Sequence, residues 1–333
     1  RTQAARLIGA RPDEIYFTSG GSESDNWAIK SFSRSIRKKR MGASCHIITT
    51  SIEHNAVLNS CRTLESEGFT VTYLPCDKYG FIHPETLQAA IRDDTILISV
   101  MAANNEVGSI QPLKAIGQIA RRHQIVFHTD AVQAYGHIPI NVNECMIDML
   151  SMSAHKLHGP KGVGFLYIRN GLELPSYIDG GSQENGHRAG TSNVPGIVGL
   201  GKACEIAARN MQKNINSMTR LRNRLIYQIR QGLPNAVLTG SEQMRLPNNV
   251  SFCFPGVESA QLLSILDSHG ICASAGSACS TGAAGPSHVL IAMGIDYNLA
   301  GGSLRLTLSG ENTMQEVDFV AETVIKSVKR LSI

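Results

Sequence analysis

The chain has 333 residues, of which 42% are hydrophobic, so it is long enough for about two domains with sizeable cores. Its 31 basic and 27 acidic residues leave a net charge of +4, which is too weak a bias to indicate nucleic acid as the main partner. Its 8 cysteines are scattered, with neither a C-x-x-C pair nor a zinc-like Cys/His spacing, so no metal site is predicted.

The cellular setting is predicted from what the sequence lacks. No apolar stretch is long enough to span a bilayer, and no signal peptide precedes the first predicted domain. Together with unpaired cysteines, this predicts a reducing, cytoplasmic location. The chain begins at Arg1 rather than Met, inside a predicted helix, so we expect a further N-terminal segment.

In the first part of the chain, short apolar runs alternate with amphipathic stretches, which predicts an α/β fold with a mostly parallel sheet. The predicted strands are Glu14–Thr18, His46–Thr50, Thr70–Leu74, Thr95–Met101, Ile125–His128, Ile147–Ser151 and Gly164–Ile168. The predicted helices between them are Ser22–Arg37, Asn55–Glu67, Pro84–Arg92 and Pro112–His123.

The pattern changes after Gly190. A long helix is predicted over about 194–231, followed by a second, smaller α/β unit. Its predicted strands are Asn249–Phe254, Ile271–Ala275 and Ser303–Leu308, and its predicted helices are Ser259–His269, Pro286–Met293 and Thr313–Leu331. We therefore expect a large domain over residues 1–205 and a small C-terminal domain over 206–333.

The stretch "YFTSGGSESDN" passes from a strand through two glycines to a helix that opens with Ser22 and Glu23. Backbone N–H groups and the helix dipole suit a phosphate there. A plain strand-to-helix turn with a serine cap explains the same residues. The stretch lacks the Gly-Lys phosphate loop, and no G-x-G-x-x-G fingerprint occurs.

Two further strand ends carry chemically useful side chains. In "IVFHTDAVQA", Asp130 ends an apolar strand, where it suits a pyridinium nitrogen or caps the next helix. In "SMSAHKLHGPKGVG", Lys156 follows Ser153 and His155; it suits a Schiff base or is a chance strand-end lysine. A phosphate turn, an aspartate and a lysine on one α/β pattern together indicate pyridoxal phosphate chemistry.

From about Glu14 to its C-terminus, the chain resembles the pyridoxal-phosphate-dependent cysteine desulfurases. The resemblance rests on nine motifs in order: "TSGGSESDN", "SIEHNAVL", "ANNEVGSIQP", "HTDAVQA", "SAHKLHGPKGVG", "RAGTSNVPGIVGLGKA", "LPNNVSF", "SAGSACST" and "PSHVL". It implies a fold-type I transferase whose large domain has a mostly parallel seven-stranded sheet. It also implies a homodimer that takes L-cysteine as its substrate.

The resemblance assigns roles around the cofactor ring. Lys156 would hold pyridoxal 5'-phosphate as a Schiff base, and Asp130 would pair with the ring nitrogen. Gln133 would bond the phenolic oxygen. His54 in "SIEHNAVL" would stack on the ring and relay protons, although by itself it suggests only a histidine at a helix start.

The resemblance also assigns the phosphate and the substrate. Asn105 and Arg305 would hold the substrate carboxylate, a task that suits the guanidinium fork. The phosphate would be bound by Gly21, Ser22, Ser153 and His155, with Thr191 reaching the phosphate of the opposite subunit.

Cys279 in "SAGSACSTGAAGPSHVL" lies among glycines and small residues, which predicts an exposed loop. The resemblance implies that its thiolate takes the sulfur of L-cysteine as a persulfide and passes it to an acceptor protein such as an iron–sulfur scaffold. Cys272, by contrast, falls within a predicted strand, where we expect a small buried hydrophobe.

Two other functions remain open from the sequence. A selenocysteine lyase could share every residue named above. A catalytically silent binding platform in a sulfur-transfer assembly is the second, because the family's N-terminal strand and turn, rich in Asp-Asn-Ala-Thr, are absent. In addition, Ser309 and Gly310 stand where many members carry Gly-Arg.

Overall fold

The computed structural model describes residues 1–276 and 285–332. They divide into two compact units. The first comprises Arg1–Pro75, Ile82–Ala102 and Gln111–Asn210, and the second comprises Cys76–Phe81, Ala103–Ile110 and Met211–Ile333. None of the helices in the described ranges is both long and apolar enough to cross a membrane.

The first unit is built on a seven-stranded sheet in the order β1-β7-β6-β5-β4-β2-β3. Its strands are β1 (Ile15–Thr18), β2 (His46–Thr50), β3 (Thr70–Leu74), β4 (Thr95–Ser99), β5 (Val126–Asp130), β6 (Met149–Ser153) and β7 (Gly164–Ile168). Neighbours from β3 to β6 pair in parallel, whereas β7 runs antiparallel to both β6 and β1. The predicted mostly parallel, seven-stranded sheet is confirmed.

The central strands are buried along their whole length because both of their faces are covered. Every residue of β2, β4, β6 and β7 is buried. The helices of this unit are α1 (Thr2–Arg6), α2 (Gly21–Asn26), α3 (Phe32–Lys39), α4 (Asn55–Ser66), α5 (Pro84–Ala89) and α6 (Leu113–Arg122). A π-helical turn, Trp27–Ser31, joins α2 to α3.

Helix α7 (Val194–Gly232) starts in the first unit and ends in the second. The remaining elements are β8 (Val237–Leu238), β9 (Asn249–Cys253), α8 (Ser259–Ser268), α9 (His288–Ala292), α10 (Tyr297–Gly301), β10 (Ser303–Thr307) and α11 (Met314–Leu331). The three strands form an antiparallel sheet, β10-β9-β8. Phe252 of β9, Leu262 of α8 and Val324 of α11 share its hydrophobic core.

The strand predicted over 271–275 is wrong. Ser274 makes only an isolated bridge with Arg305, and the residues around it are irregular. Ile271 is buried in the core, whereas Cys272 is exposed, so the expectation that Cys272 is a buried hydrophobe is also wrong. Small side chains such as Ala273 and Ser274 offer little packing surface to stabilise a strand.

Candidate active site

Three strand ends meet at one edge of the large sheet. Strands β1 and β6 are both antiparallel to β7, so they run in the same direction, and β5 is parallel to β6. Gly164 at the start of β7 pairs with Thr18 on one side and Ser153 on the other. A Cβ on Gly164 would lie 2.8 Å from Cα of Gly20, so glycine is what lets the chains approach here.

The turn after β1 forms a cradle of backbone. Gly20 has φ +151°, and a Cβ on Gly21 would lie 2.7 Å from Cγ2 of Val132. No described side chain caps the start of α2, and Ser22 is exposed there. The alternative of a serine-capped turn therefore does not hold, and the amide groups of this helix start suit an anion.

An ion pair between Arg188 and Glu23 stabilises this turn. Arg188 Nε and Nη2 donate to the two carboxylate oxygens of Glu23 at 2.8 and 3.1 Å, and the amide of Ser19 donates to Glu23 Oε2 at 2.9 Å. Burial raises the pKa of Glu23, but the bonds from Arg188 and Ser19 outweigh it and lower that pKa overall. Glu23 is therefore a carboxylate at neutral pH, and it fixes the loop that carries Arg188.

The end of β6 leads directly into a short 3-10 turn, Ala154–Leu157, that presents the lysine. Ser153 is 5% exposed, and its Oγ lies 2.9 Å from Nδ1 of His155. His155 and Lys156 are both exposed at the sheet edge. Partial burial and the charges of Lys156 and Lys161 lower the pKa of His155, so the ring is neutral at neutral pH.

Asp130 ends β5 and is 6% exposed. Its Oδ1 accepts a hydrogen bond from the amide of Val132 at 2.9 Å, so it caps the following turn as well as facing the site. Burial raises its pKa, while the charges of His54 and Lys156 act in the opposite direction. Gln133 follows one turn later and is half-buried.

Asp25 of α2, to which the sequence motifs assigned no role, joins this group. Carboxylate oxygens of Asp25 and Asp130 and a ring nitrogen of His54 all lie within 4.8 Å of one another. Burial and the charge of Asp130 raise the pKa of Asp25 well above its usual range. Its Oδ1 accepts no hydrogen bond from any described residue.

Two buried carboxyl groups in one place need a proton or a cation. A pyridinium nitrogen beside Asp130 meets that need, and the glycine turn leaves room for a phosphate within the same unit. A metal ion would satisfy the same donors. The residues therefore fit the cofactor that the sequence resemblance implies.

His54 is held by its own helix. It is the N-cap of α4, and its Nδ1 accepts from the amide of Ala56 at 3.1 Å. Because Nδ1 is the acceptor, the proton of the neutral ring lies on Nε2. The interpretation of His54 as a helix-start histidine is thus correct, and the bond also fixes the ring for a role in the site.

A third buried acid, Glu53, lies three residues after the end of β2. Glu53 Oε1 accepts from Thr50 Oγ1 at 2.8 Å and from the amide of Met101 at 2.9 Å. Burial raises the pKa of Glu53 to about 8. No role was assigned to Glu53, Glu23 or Arg188 from the sequence, because what each does depends on burial or on a long-range pairing that the sequence does not show.

Thr191 is exposed and lines a small cavity of about 160 Å³ with Thr18, Ser19 and Asn193. Neither Gly21 nor Ser153 lines this cavity. The described contacts of the chain therefore do not place Thr191 with the other phosphate candidates.

The two substrate candidates lie in the second unit. Arg305 of β10 is half-buried, and its Nη1 donates to the backbone oxygen of Asn105 at 2.8 Å. This bond fixes the guanidinium beside the turn that carries Asn105. Cys279 lies outside the described residues.

The profile of the family Aminotransferase class-V matches residues 1–320. A cysteine desulfurase IscS from Methanosarcina thermophila is 53% identical over 331 residues, which span 99% of this chain and 81% of that protein. A cysteine desulfurase IscS from Clostridium botulinum is 51% identical over 332 residues, 99% of this chain and 83% of that protein.

A solved structure of a NifS-like protein has a TM-score of 0.90 and 39% sequence identity, and the match covers 99% of this chain and 86% of that one. This agreement over nearly the whole chain confirms the fold class expected from the sequence.

Proposed function

The chain belongs to the class-V aminotransferase family, and from that membership we propose that it is a cysteine desulfurase that converts L-cysteine to L-alanine. Pyridoxal 5'-phosphate is its cofactor. The observation that carries the proposal is the group of Asp25, His54 and Asp130 at the sheet edge, within 4.8 Å of one another and next to the turn of Lys156.

When bound, the cofactor supplies an electron sink for bond changes at the substrate. The residues of this chain hold and orient it. Asp130 would keep the ring nitrogen charged, and Gln133 would bond the phenolic oxygen. His54 would stack on the ring, and the hydrogen bond from the amide of Ala56 to its Nδ1 orients the imidazole.

Lys156 holds the cofactor and then moves the substrate's α-proton on its Nζ. Its position on a short turn directly after β6 places this side chain, which is exposed, at the sheet edge. The phosphate is bound by backbone amides at Gly21 and by polar groups of Ser22, Ser153 and His155.

The substrate carboxylate pairs with Arg305 and with the side chain of Asn105. The guanidinium offers a planar fork that matches a carboxylate in two hydrogen bonds. Its bond to the oxygen of Asn105 uses Nη1 and keeps the two residues together.

Cys279 takes the sulfur. Its thiolate sulfur bonds to the substrate sulfur while the substrate Cβ–Sγ bond breaks, and the electron pair of that bond remains with carbon. Protonation of that carbon yields alanine, and the persulfide stays on Cys279 for transfer to an acceptor protein such as an iron–sulfur scaffold. The cytoplasmic location remains a prediction.

The protein works as a homodimer in which Thr191 serves the phosphate of the opposite subunit. Thr191 is exposed, and it is followed by Val194 and Val198, which are 60% and 66% exposed. Exposed apolar side chains beside a candidate binding residue favour a surface that a second copy covers. Sedimentation of the cofactor-loaded protein tests this, since a monomer at micromolar concentration contradicts it.

The function is tested by measuring alanine and sulfide from L-cysteine, with added pyridoxal phosphate and a thiol reductant. Wild type, Cys279→Ala and Cys272→Ala are compared, because Cys272 is an exposed thiol of the second unit and so a matched control. We expect turnover in wild type and Cys272→Ala and none in Cys279→Ala. Full sulfide release by Cys279→Ala would exclude the persulfide route.

The same assay separates the alternatives. A parallel reaction with L-selenocysteine identifies a lyase if only that substrate is consumed. A wild type that binds the cofactor but consumes neither amino acid is a binding platform.

A further inference from the structure

One buried carboxylate, that of Glu106, bonds to Ser287 on one side of the segment that carries Cys279 and lies next to Gly276 on the other side. We propose that Glu106 is a positioning residue that fixes the two flanks of this segment and so sets where the Cys279 thiol can reach. The proposal rests on the proposed function of Cys279, but its experiment has a readout that does not require turnover.

Glu106 lies on a rigid turn. Asn104 Oδ1 accepts from the amides of Glu106 and Val107 at 2.9 and 3.0 Å, and the amide of Asn104 donates to the oxygen of Ser109 at 2.9 Å. The turn also bonds to β9, because Asn249 Nδ2 donates to the backbone oxygen of Glu106 at 3.0 Å. Glu106 itself is 3% exposed, so its carboxylate is shielded from solvent.

On the C-terminal flank, Ser287 donates a hydrogen bond to this carboxylate. Ser287 is the N-cap residue of α9, and its Oγ accepts hydrogen bonds from the amides of Val289 and Leu290 at 3.1 and 3.3 Å. Its one proton is thus available for Glu106 Oε2, to which it makes a short hydrogen bond. The start of α9 is therefore fixed to the turn that carries Glu106.

On the N-terminal flank, Gly276 lies next to the same carboxylate. A Cβ on Gly276, whose φ is +61°, would lie 3.1 Å from Glu106 Oε2 and 3.2 Å from Cβ of Ser287. The chain positions 276 and 287 thus meet at one group, and Cys279 lies between them in the sequence.

The same turn connects to Arg305, which we propose binds the substrate carboxylate. Arg305 Nη1 donates to the oxygen of Asn105, the neighbour of Glu106, at 2.8 Å. The backbones of Arg305 and Ser274 exchange hydrogen bonds of 2.6 and 3.1 Å, shortly before Gly276. Glu106 therefore fixes the Cys279 flanks to the element that orients the guanidinium.

Glu106 contacts neither the cofactor residues nor the guanidinium in any described hydrogen bond. Replacement of Glu106 should therefore slow sulfur transfer to Cys279 more than it weakens the binding of L-cysteine. Misplacement of a reacting group by about 1 Å can cost about 100-fold in rate. We expect Glu106→Ala to lower the kcat for alanine formation by about 10- to 100-fold, with little change in the KM for L-cysteine.

The experiment compares cofactor-loaded wild type with Glu106→Ala, Glu106→Gln and Thr313→Ala. Thr313 is the matched control, because its hydroxyl caps α11 as Ser287 caps α9, but it has no described contact with Glu106. For each protein we would measure kcat and KM, the cysteine concentration that half-saturates the cofactor's spectral change, and the alkylation rate of Cys279 by peptide mass spectrometry.

We expect Glu106→Ala to change the alkylation rate of Cys279 several-fold and to lower kcat, with half-saturation unchanged. In Glu106→Gln, the alkylation rate of Cys279 and kcat should both be closer to the wild-type values, because the amide oxygen of the glutamine still accepts a hydrogen bond from Ser287. A Glu106→Ala protein that matches Thr313→Ala in alkylation and kcat, or that loses cysteine binding instead, would overturn the proposal.

Two further outcomes are separable. If Glu106→Ala does not fold, Gly276→Ala serves instead, since its methyl group would press on the carboxylate from 3.1 Å and should change the same alkylation rate; an unchanged rate would refute the role of Glu106. If Cys279→Ala keeps full turnover, the proposed function fails, while the alkylation rate still decides whether Glu106 positions the segment.

Discussion

Asp25 Oδ1 lies 3.6 Å from Nε2 of His128, yet the two side chains form no charged pair. Burial lowers the pKa of His128 to about 3, so its ring is neutral at physiological pH. Its two nitrogens lie 2.9 Å from Ser99 Oγ and 3.0 Å from Ser151 Oγ. Asp25 is therefore buried beside a neutral imidazole and a second carboxyl group, Asp130, and it retains its proton until a cation arrives.

The Asp25→Asn variant should be more stable than wild type at alkaline pH when the cofactor is absent. Burial and Asp130 raise the pKa of Asp25, so the unfolded chain ionises this group first. Stability from the retained proton is present at acid pH and is lost as pH rises above the unfolded pKa. We expect similar urea midpoints for the two proteins at about pH 4 and a higher midpoint for Asp25→Asn at about pH 8.

Asp296→Asn is the control, because Asp296 is an exposed N-cap whose amide replacement keeps the capping oxygen. Equal pH dependence of all three proteins would contradict the raised pKa of Asp25.

Glu53→Gln should make the stability of the folded protein less dependent on pH between 4.5 and about 8. Burial raises the pKa of Glu53 from its usual 4.5 to about 8, so wild type loses stability as pH rises through this range. A glutamine can keep both bonds that Oε1 accepts, from Thr50 and Met101. Thermal unfolding of the cofactor-free proteins at several pH values measures the difference, and an unchanged slope would mean that Glu53 ionises normally in the folded state.

Asp25 was detectable in the sequence, although we did not identify it there. Gly21, Asp25, Ala28 and Phe32 recur at helical spacing, and all four are buried. A carboxylate within the buried stripe of a helix is costly, so its presence indicates a function. In the motif "TSGGSESDN", the glycine turn and Ser22 were assigned to a phosphate, and Asp25 was assigned no role.

Much of the fold followed from local pattern, since β2, β3 and β7 have the bounds that their apolar runs predicted. The π-helical turn at Trp27–Ser31 did not, because it depends on packing: Trp27 is fully buried and donates from Nε1 to the oxygen of Pro175 at 2.8 Å. The proximity of Gly276 to Glu106 could not be predicted either, since these residues are far apart in the sequence.

Gly21→Ala should weaken cofactor binding. Its Cβ would lie 2.7 Å from Cγ2 of Val132 and would fill the cradle next to Ser153. We expect at least about 10-fold weaker binding of pyridoxal phosphate, measured by titrating the cofactor-free protein, because the methyl group displaces backbone from the phosphate.

The double variant Gly21→Ala/Val132→Ala identifies the cause. It relieves the clash with Val132 but leaves the cradle filled, so binding should remain weak. Recovery of wild-type affinity would show that the clash alone matters.

Arg188→Ala should destabilise the glycine turn, because it removes both bonds to Glu23, whose side chain is only 9% exposed. The partly buried carboxylate then loses its cation, which we expect to cost about 1–3 kcal/mol. The pKa of Glu23 is lowered in the folded protein, so the lost stability is present in wild type above the usual carboxyl pKa and disappears as pH falls below it. Unfolding at about pH 7 and pH 3 tests this, and an equal difference at both values would contradict it.

Asp130→Asn should separate cofactor binding from proton abstraction. An asparagine keeps the Oδ1 that accepts from Val132, so the turn and the cofactor affinity should persist. It cannot hold the ring nitrogen charged, and loss of such electrostatic stabilisation typically costs about 100- to 1,000-fold in kcat. Alanine formation and the exchange of the α-proton of L-cysteine with deuterated solvent should fall together, because both depend on the same carbanion stabilisation. If exchange persisted at the wild-type rate while alanine formation fell, Asp130 would act on the sulfur step, and its assignment to the ring nitrogen would be wrong.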